Sequence, residues 1–144
     1  MPKRTTDDLI NNLRFRSTWV ALCDYLLARR PEVDFAAFLR ELRQVELAAV
    51  EALALRLRRE GAPPATVGID DYLLEQGRVR RTEDARMHFV AHGLERSMAW
   101  YQAKLAEPDH PHHDLWRQLL DQQIAFVDRY AGLLGDLAIH KPTN

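Results

Sequence analysis

Four long stretches of this chain place apolar residues at helical spacing, and prolines or glycines separate them. That pattern permits packed helices and little else, because a strand needs strict alternation and no stretch shows it. The first helix is predicted over about 6–30, opening on Thr6 or Asp7 as N-cap and stopped by Pro31. Leu9, Leu13, Val20, Cys23 and Leu27 lie on one side of it, and Trp19 and Leu26 widen the stripe. The second is predicted over about 34–60, capped by Asp34 and closed by Gly61. Its stripe is Phe35, Leu39, Leu42, Val50, Leu53 and Leu57. A third, over about 82–107, carries Met87, Val90, Leu94, Met98, Tyr101 and Leu105 and ends at Pro108. The fourth, over about 112–138, is marked by Leu115, Trp116, Leu119, Phe126, Val127, Tyr130, Leu133 and Leu137. The expectation is an all-α, single four-helix domain spanning residues 1–144.

The link between the second and third helices, about 61–81, is longer than the ~2–8 residues of an ordinary helix–helix turn. It is long enough to cross a bundle end to end, since a helix of this size measures only about 39 Å. Ala62-Pro63-Pro64 reads as extended, and Asp70 to Gly77 as two helical turns closed by the glycine. Phe89, Gly93 and Trp100 form a second patch on the third helix, away from its main stripe. Either Val67, Ile69, Tyr72, Leu73 and Leu74 of the connection or a second subunit is expected to cover it.

Three polar residues interrupt the stripes: Arg16, Glu46 and Gln123. An unpaired buried charge costs several kcal/mol, so their depth implies a shared buried polar network. Arginine and glutamate at matching depth neutralise each other, and a glutamine amide satisfies leftover donors or acceptors.

Composition removes other possibilities. Twenty basic and 21 acidic side chains nearly cancel, leaving no field to draw the chain to nucleic acid or an anionic membrane. One cysteine, Cys23, allows neither an internal disulfide nor a multi-cysteine metal site, and on the apolar stripe it reads as a small hydrophobe. No stretch reaches the ~18 apolar residues of a membrane span, and the opening Met1 to Asp8 lacks an apolar run of secretory type. A cytoplasmic location is the expectation. Phosphate-binding glycine loops, serine elbows and HExxH zinc signatures are absent from the sequence. Arg56, Arg58 and Arg59, with Arg78, Arg80 and Arg81, read as solvated helix ends, with an anion-binding patch as the alternative.

The order short link, long link, short link matches the ferritin-like plan, which has one long crossover. The segment Ser97-Met-Ala-Trp-Tyr-Gln-Ala-Lys-Leu-Ala-Glu107 also resembles helices of rubrerythrin-type proteins, in which an aromatic–Tyr pair precedes a Leu-Ala. The resemblance implies a di-metal site built from a glutamate on each of two helices and a Glu-x-x-His on each of the others. On that register Glu46 is matched, but Ala49 stands where a histidine is expected. Gln123 and Phe126 replace both ligands of the fourth helix, Leu94 replaces the glutamate of the third, and Arg16 (or Thr18) stands on the first. The resemblance therefore implies a ferritin-like bundle with a degenerate di-metal site. One carboxylate and one amide do not hold two metal ions.

Weaker metal candidates are Glu46 alone and the trio His88, His92 and Glu95, one flank of the third helix at i, i+4 and i+7. That flank lies off the main stripe and reads as solvated. His110, His112, His113 and Asp114 cluster before the last helix, either as a helix start or as a histidine-rich metal trap. The leading functional expectation is a non-enzymatic structural or interaction protein, with no catalytic residue and no cofactor, forming a homodimer. The alternative is a metal-dependent oxidoreductase or metal-binding protein with a residual or displaced site for iron, manganese or zinc. A small-molecule binder with its ligand lodged between helices is a third class.

Overall fold

The computed structural model describes residues 2–135, with side chains from Thr6 onward. Among the described residues every regular element is helical. The chain divides into two compact units, Met1–Arg78 and Val79–Asn144.

The first unit is an antiparallel hairpin of α1 (Pro2–Ala28) and α2 (Val33–Arg59), followed by a short 3-10 turn (Pro64–Thr66) and α3 (Asp71–Arg78). Helix α1 begins earlier than the expected Thr6 or Asp7. Proline at a first helical position forfeits only an N–H that would be unbonded there, and its fixed φ already suits the helix. The helix stops where Arg30 turns left-handed (φ 54°), because Pro31 disfavours the helical conformation for the residue before it.

Helix α2 is capped by Glu32 and not by the expected Asp34. The Glu32 carboxylate accepts the Asp34 N–H at 3.0 Å, and Asp34 sits in the first turn. At the far end the Ala62 N–H reaches the Leu57 carbonyl and the Gly61 N–H the Arg58 carbonyl, both at 3.0 Å. Gly61 makes that reversal at φ 84°, a conformation costly for a residue with a Cβ. The hairpin buries Leu9, Leu13, Leu22, Cys23 and Leu26 of α1 against Phe35, Leu39, Leu42, Ala49, Leu53 and Leu57 of α2. The sequence stripe on α2 placed Val50 inward, but Ala49 is the buried residue and Val50 is only half-buried.

The connection is tied down on α1. The Arg14 guanidinium donates from Nε to the Val67 carbonyl at 3.3 Å, and the Thr18 hydroxyl accepts the Asp70 N–H at 2.9 Å. Asp70 then caps α3 by accepting the Leu73 N–H at 3.1 Å. Gly77 is buried inside α3, one residue before its end, so it is not the terminator the sequence suggested.

The second unit pairs α4 (Glu83–Ala106) with α5 (His113–Arg129) and adds one turn, α6 (Ala131–Leu134). Thr82 caps α4 by accepting the Ala85 N–H at 3.1 Å. Val90, Leu94, Ser97 and Tyr101 form its buried stripe, facing Leu115, Trp116, Leu119, Gln123 and Phe126 of α5. The expected last helix is interrupted at Tyr130 (φ −111°, ψ 25°), and the glycines Gly132 and Gly135 weaken helical propensity beyond it. The expected stretch 136–138, with Leu137, lies outside the described residues. Trp100, expected above to be covered by the connection or a second subunit, packs edge-on against Trp116 at 5.0 Å and Tyr101 at 5.3 Å. Phe89 lies under the Arg80 guanidinium at 4.9 Å.

Candidate functional site

Arg16 falls in the middle of α1 and Glu46 in the middle of α2, because each continues the inward period of its helix. The antiparallel pairing brings them together, and the Arg16 Nε donates to the Glu46 carboxylate. Both side chains are shut off from solvent, with exposures of 1% and 3%. Burial pushes the Glu46 carboxyl above the ordinary glutamate range, and the Arg16 guanidinium draws it back part of the way. The same hairpin shows the contrasting surface case. Arg43 meets Asp24 at 2.5 Å with both side chains open to solvent in part, where such pairs contribute little.

Cys23 is buried two turns beyond Arg16 on the same helix. Enclosure and the nearby Glu46 carboxylate push its thiol far above the usual range. A thiol held protonated is neither a nucleophile nor a metal ligand.

Gln123, the third expected member of the network, belongs to the second unit and is bonded there. Its Nε2 donates to the Ser97 hydroxyl at 2.9 Å, and that hydroxyl lies 3.1 Å from its Oε1. Ser97 was not anticipated. Its signal was present nevertheless, since Val90, Leu94, Ser97 and Tyr101 follow a helical period better than a stripe running through Met98.

The histidine cluster, expected as a helix start or a metal trap, leads into α5 at His113. His110 and His112 are buried at 8% and 3% exposure. Both rings pack against Trp116, at centroid distances of 5.8 and 6.1 Å. The His110 Nδ1 accepts the Trp116 indole N–H at 3.3 Å and the His112 backbone N–H at 3.2 Å. His113 donates from Nε2 to the Glu107 carbonyl at 2.7 Å, closing the turn between α4 and α5. This corner is a packed cluster of flat rings. On α4 the His88 Nδ1 lies 3.1 Å from the Asp84 carbonyl, and His92 lies 3.6 Å from Glu95 with both side chains about half exposed. They form the solvated flank of that helix.

Among the described residues no group of three or more histidine, cysteine, aspartate or glutamate side chains converges as metal ligands would. The positions that the ferritin-like register assigns to ligands hold buried Ala49, Leu94 and Phe126, while the Glu46 carboxylate faces a guanidinium. This donor set does not fit a dinuclear metal centre, which needs several carboxylates and imidazoles around each pair of ions. No helix among the described residues is long and apolar enough to cross a membrane. Comparison with family models, with curated proteins and with solved structures returns no match.

Proposed function

We propose that the chain is a non-enzymatic structural or interaction protein on the ferritin-like plan, with an internal ion pair where that plan carries metal ligands. The observation that supports this reading is the enclosed contact of Arg16 with Glu46. A guanidinium is a permanent cation with a planar donor fork, so it neutralises the carboxylate as a bound metal ion otherwise would. Its presence repels a second cation from the same place. On this reading the two hairpins pair as a four-helix bundle with residues 61–81 as the crossover, and the assembled protein is a homodimer.

Metal analysis of protein purified after growth in iron- and manganese-rich medium tests the centre. The expected content is far below the roughly two ions per chain of a di-metal bundle. Stoichiometric binding of a metal pair that disappears in Glu46→Ala would overturn the proposal. Small-angle scattering tests the plan, because a compact dimer of two such chains has a radius of gyration of about 19 Å, against about 15 Å for one compact chain. Sedimentation of the same sample reads the dimer directly.

A further inference from the structure

We propose that the first hairpin carries a binding site for a small anionic amphiphile, a free carboxylic acid with a linear apolar tail, in the cleft beneath the connection. The cleft has a volume of about 350 Å³. Ligand pockets typically begin at ~300 Å³, and at ~30 Å³ per water this one equals roughly a dozen waters. Leu13 of α1, Val50 and Ala54 of α2, and Pro63, Pro64 and Val67 of the connection supply apolar walls. A hydrocarbon tail of about eight carbons fits that space and that chemistry.

The head group follows from the polar lining. Arg58 and Ser17 are the polar residues that line the cleft, and no acidic residue does. Arg58 is exposed, and its guanidinium has no ion pair or hydrogen bond to a described residue, so it is available to a ligand carboxylate as a bidentate donor. Its place in the last turn of α2 would normally disfavour an anion, because helix C-terminal carbonyls are negative. Here the Leu57 and Arg58 carbonyls are already bonded to the N–H groups of Ala62 and Gly61, which blunts that repulsion.

The roof of the cleft is fixed before any ligand arrives. Gly61 closes α2, Arg14 holds the Val67 carbonyl, and Thr18 holds the Asp70 N–H. A site whose walls are tied at both ends loses little entropy on binding. The proposal is independent of the Arg16–Glu46 pair, so loss of either leaves the other standing.

Octanoate titrated into the full-length protein, followed by amide chemical shifts, tests the site. The expected shifts fall on Leu13, Ser17, Val50, Ala54 and Val67. Octan-1-ol, with the same tail and no charge, is expected to bind about tenfold more weakly, the scale of one charge-assisted hydrogen bond. Arg58→Ala should bring octanoate down to the alcohol's affinity, while Arg59→Ala, outside the lining, should leave it unchanged. Both positions are exposed, so neither change threatens the fold. An absence of shifts, shifts on other residues, equal affinity for acid and alcohol, or equal losses in both arginine variants would each overturn the proposal. So would movement of the same amides on concentrating the protein alone with a rise in sedimenting mass, since a second copy would then be the occupant.

Discussion

In the first hairpin the buried polar contact is ionic, Arg16 to Glu46, whereas in the second it is neutral, Ser97 to Gln123. All four residues lie at similar depth, none more than 4% exposed, so exposure does not explain the difference. The chemistry does. Taking a carboxylate and a guanidinium out of water costs several kcal/mol each, and their mutual attraction recovers that only with close geometry. A hydroxyl and an amide carry a far smaller desolvation penalty, and their hydrogen bond nets about 1 kcal/mol. The ionic contact therefore adds little net stability over an apolar replacement while penalising any arrangement that separates its partners. It acts on the register of α1 against α2, since sliding one helix by a turn would strand two charges. The neutral contact constrains α4 against α5 in the same way but with much lower stakes.

Separating the charges should have the largest effect. Arg16→Met or Glu46→Leu alone leaves an uncompensated buried charge and should lower stability by about 3–5 kcal/mol in denaturant melts. The double variant Arg16→Met/Glu46→Leu removes both charges at similar volume and should lie close to the parent or above it. Two harmless single variants would mean that the pair is not enclosed as described. A double variant clearly less stable than the parent, yet less unstable than the sum of the singles, would mean that the contact is net stabilising, and strict additivity would mean that the two side chains are not coupled.

The neutral contact should break more gently. Gln123→Leu leaves only the Ser97 hydroxyl, and a serine inside a helix can return its proton to the carbonyl one turn back. The expected loss is about 1–3 kcal/mol, the range for a buried group that has lost its partner. Ser97→Ala strands the larger amide and should cost at least as much. If Gln123→Leu matches the single variants of the first hairpin, the contrast between ionic and neutral contacts fails.

The first hairpin was the more legible of the two in the sequence. Pro31 and Gly61 mark its ends by backbone chemistry that acts locally, and a charged residue in an apolar stripe is conspicuous. Arg16 and Glu46 could thus be named as buried without coordinates. Gln123 was also visible, but its partner was not, because serine is small, common on surfaces and easily lost beside Met98 in a stripe. His110 and His112 were illegible for a different reason. Neutral imidazoles are flat, half-apolar rings, and whether they are buried depends on Trp116 being near, which is a matter of packing. The cap of α2 was placed two residues late because aspartate is a preferred cap residue and glutamate is not, although here Glu32 makes the capping bond. The cleft under the connection was not anticipated, since it depends on the path of residues 62–68 over α1, fixed by bonds from Arg14 and Thr18 far away in sequence.

The smallest effect is a slope with pH, and it separates the two terms acting on Glu46. Burial raises the folded-state pKa of this carboxyl, and the Arg16 guanidinium lowers it, with burial the larger. A carboxyl with a higher pKa folded than unfolded holds its proton more tightly in the native state. Its contribution to stability is therefore fullest below the unfolded value of about 4.3 and is lost as pH rises through the folded value. Other groups titrate over the same window, so the informative quantity is a difference between parent and Arg16→Met/Glu46→Leu. From about pH 4 upward the parent should lose stability relative to the double variant, by no more than about 1.4 kcal/mol per pH unit for one proton. Denaturant midpoints at half-unit intervals up to neutrality resolve such a trend. A parent that gains on the double variant with rising pH would reverse the ranking, placing the guanidinium above burial and making the ion pair a stabilising contact.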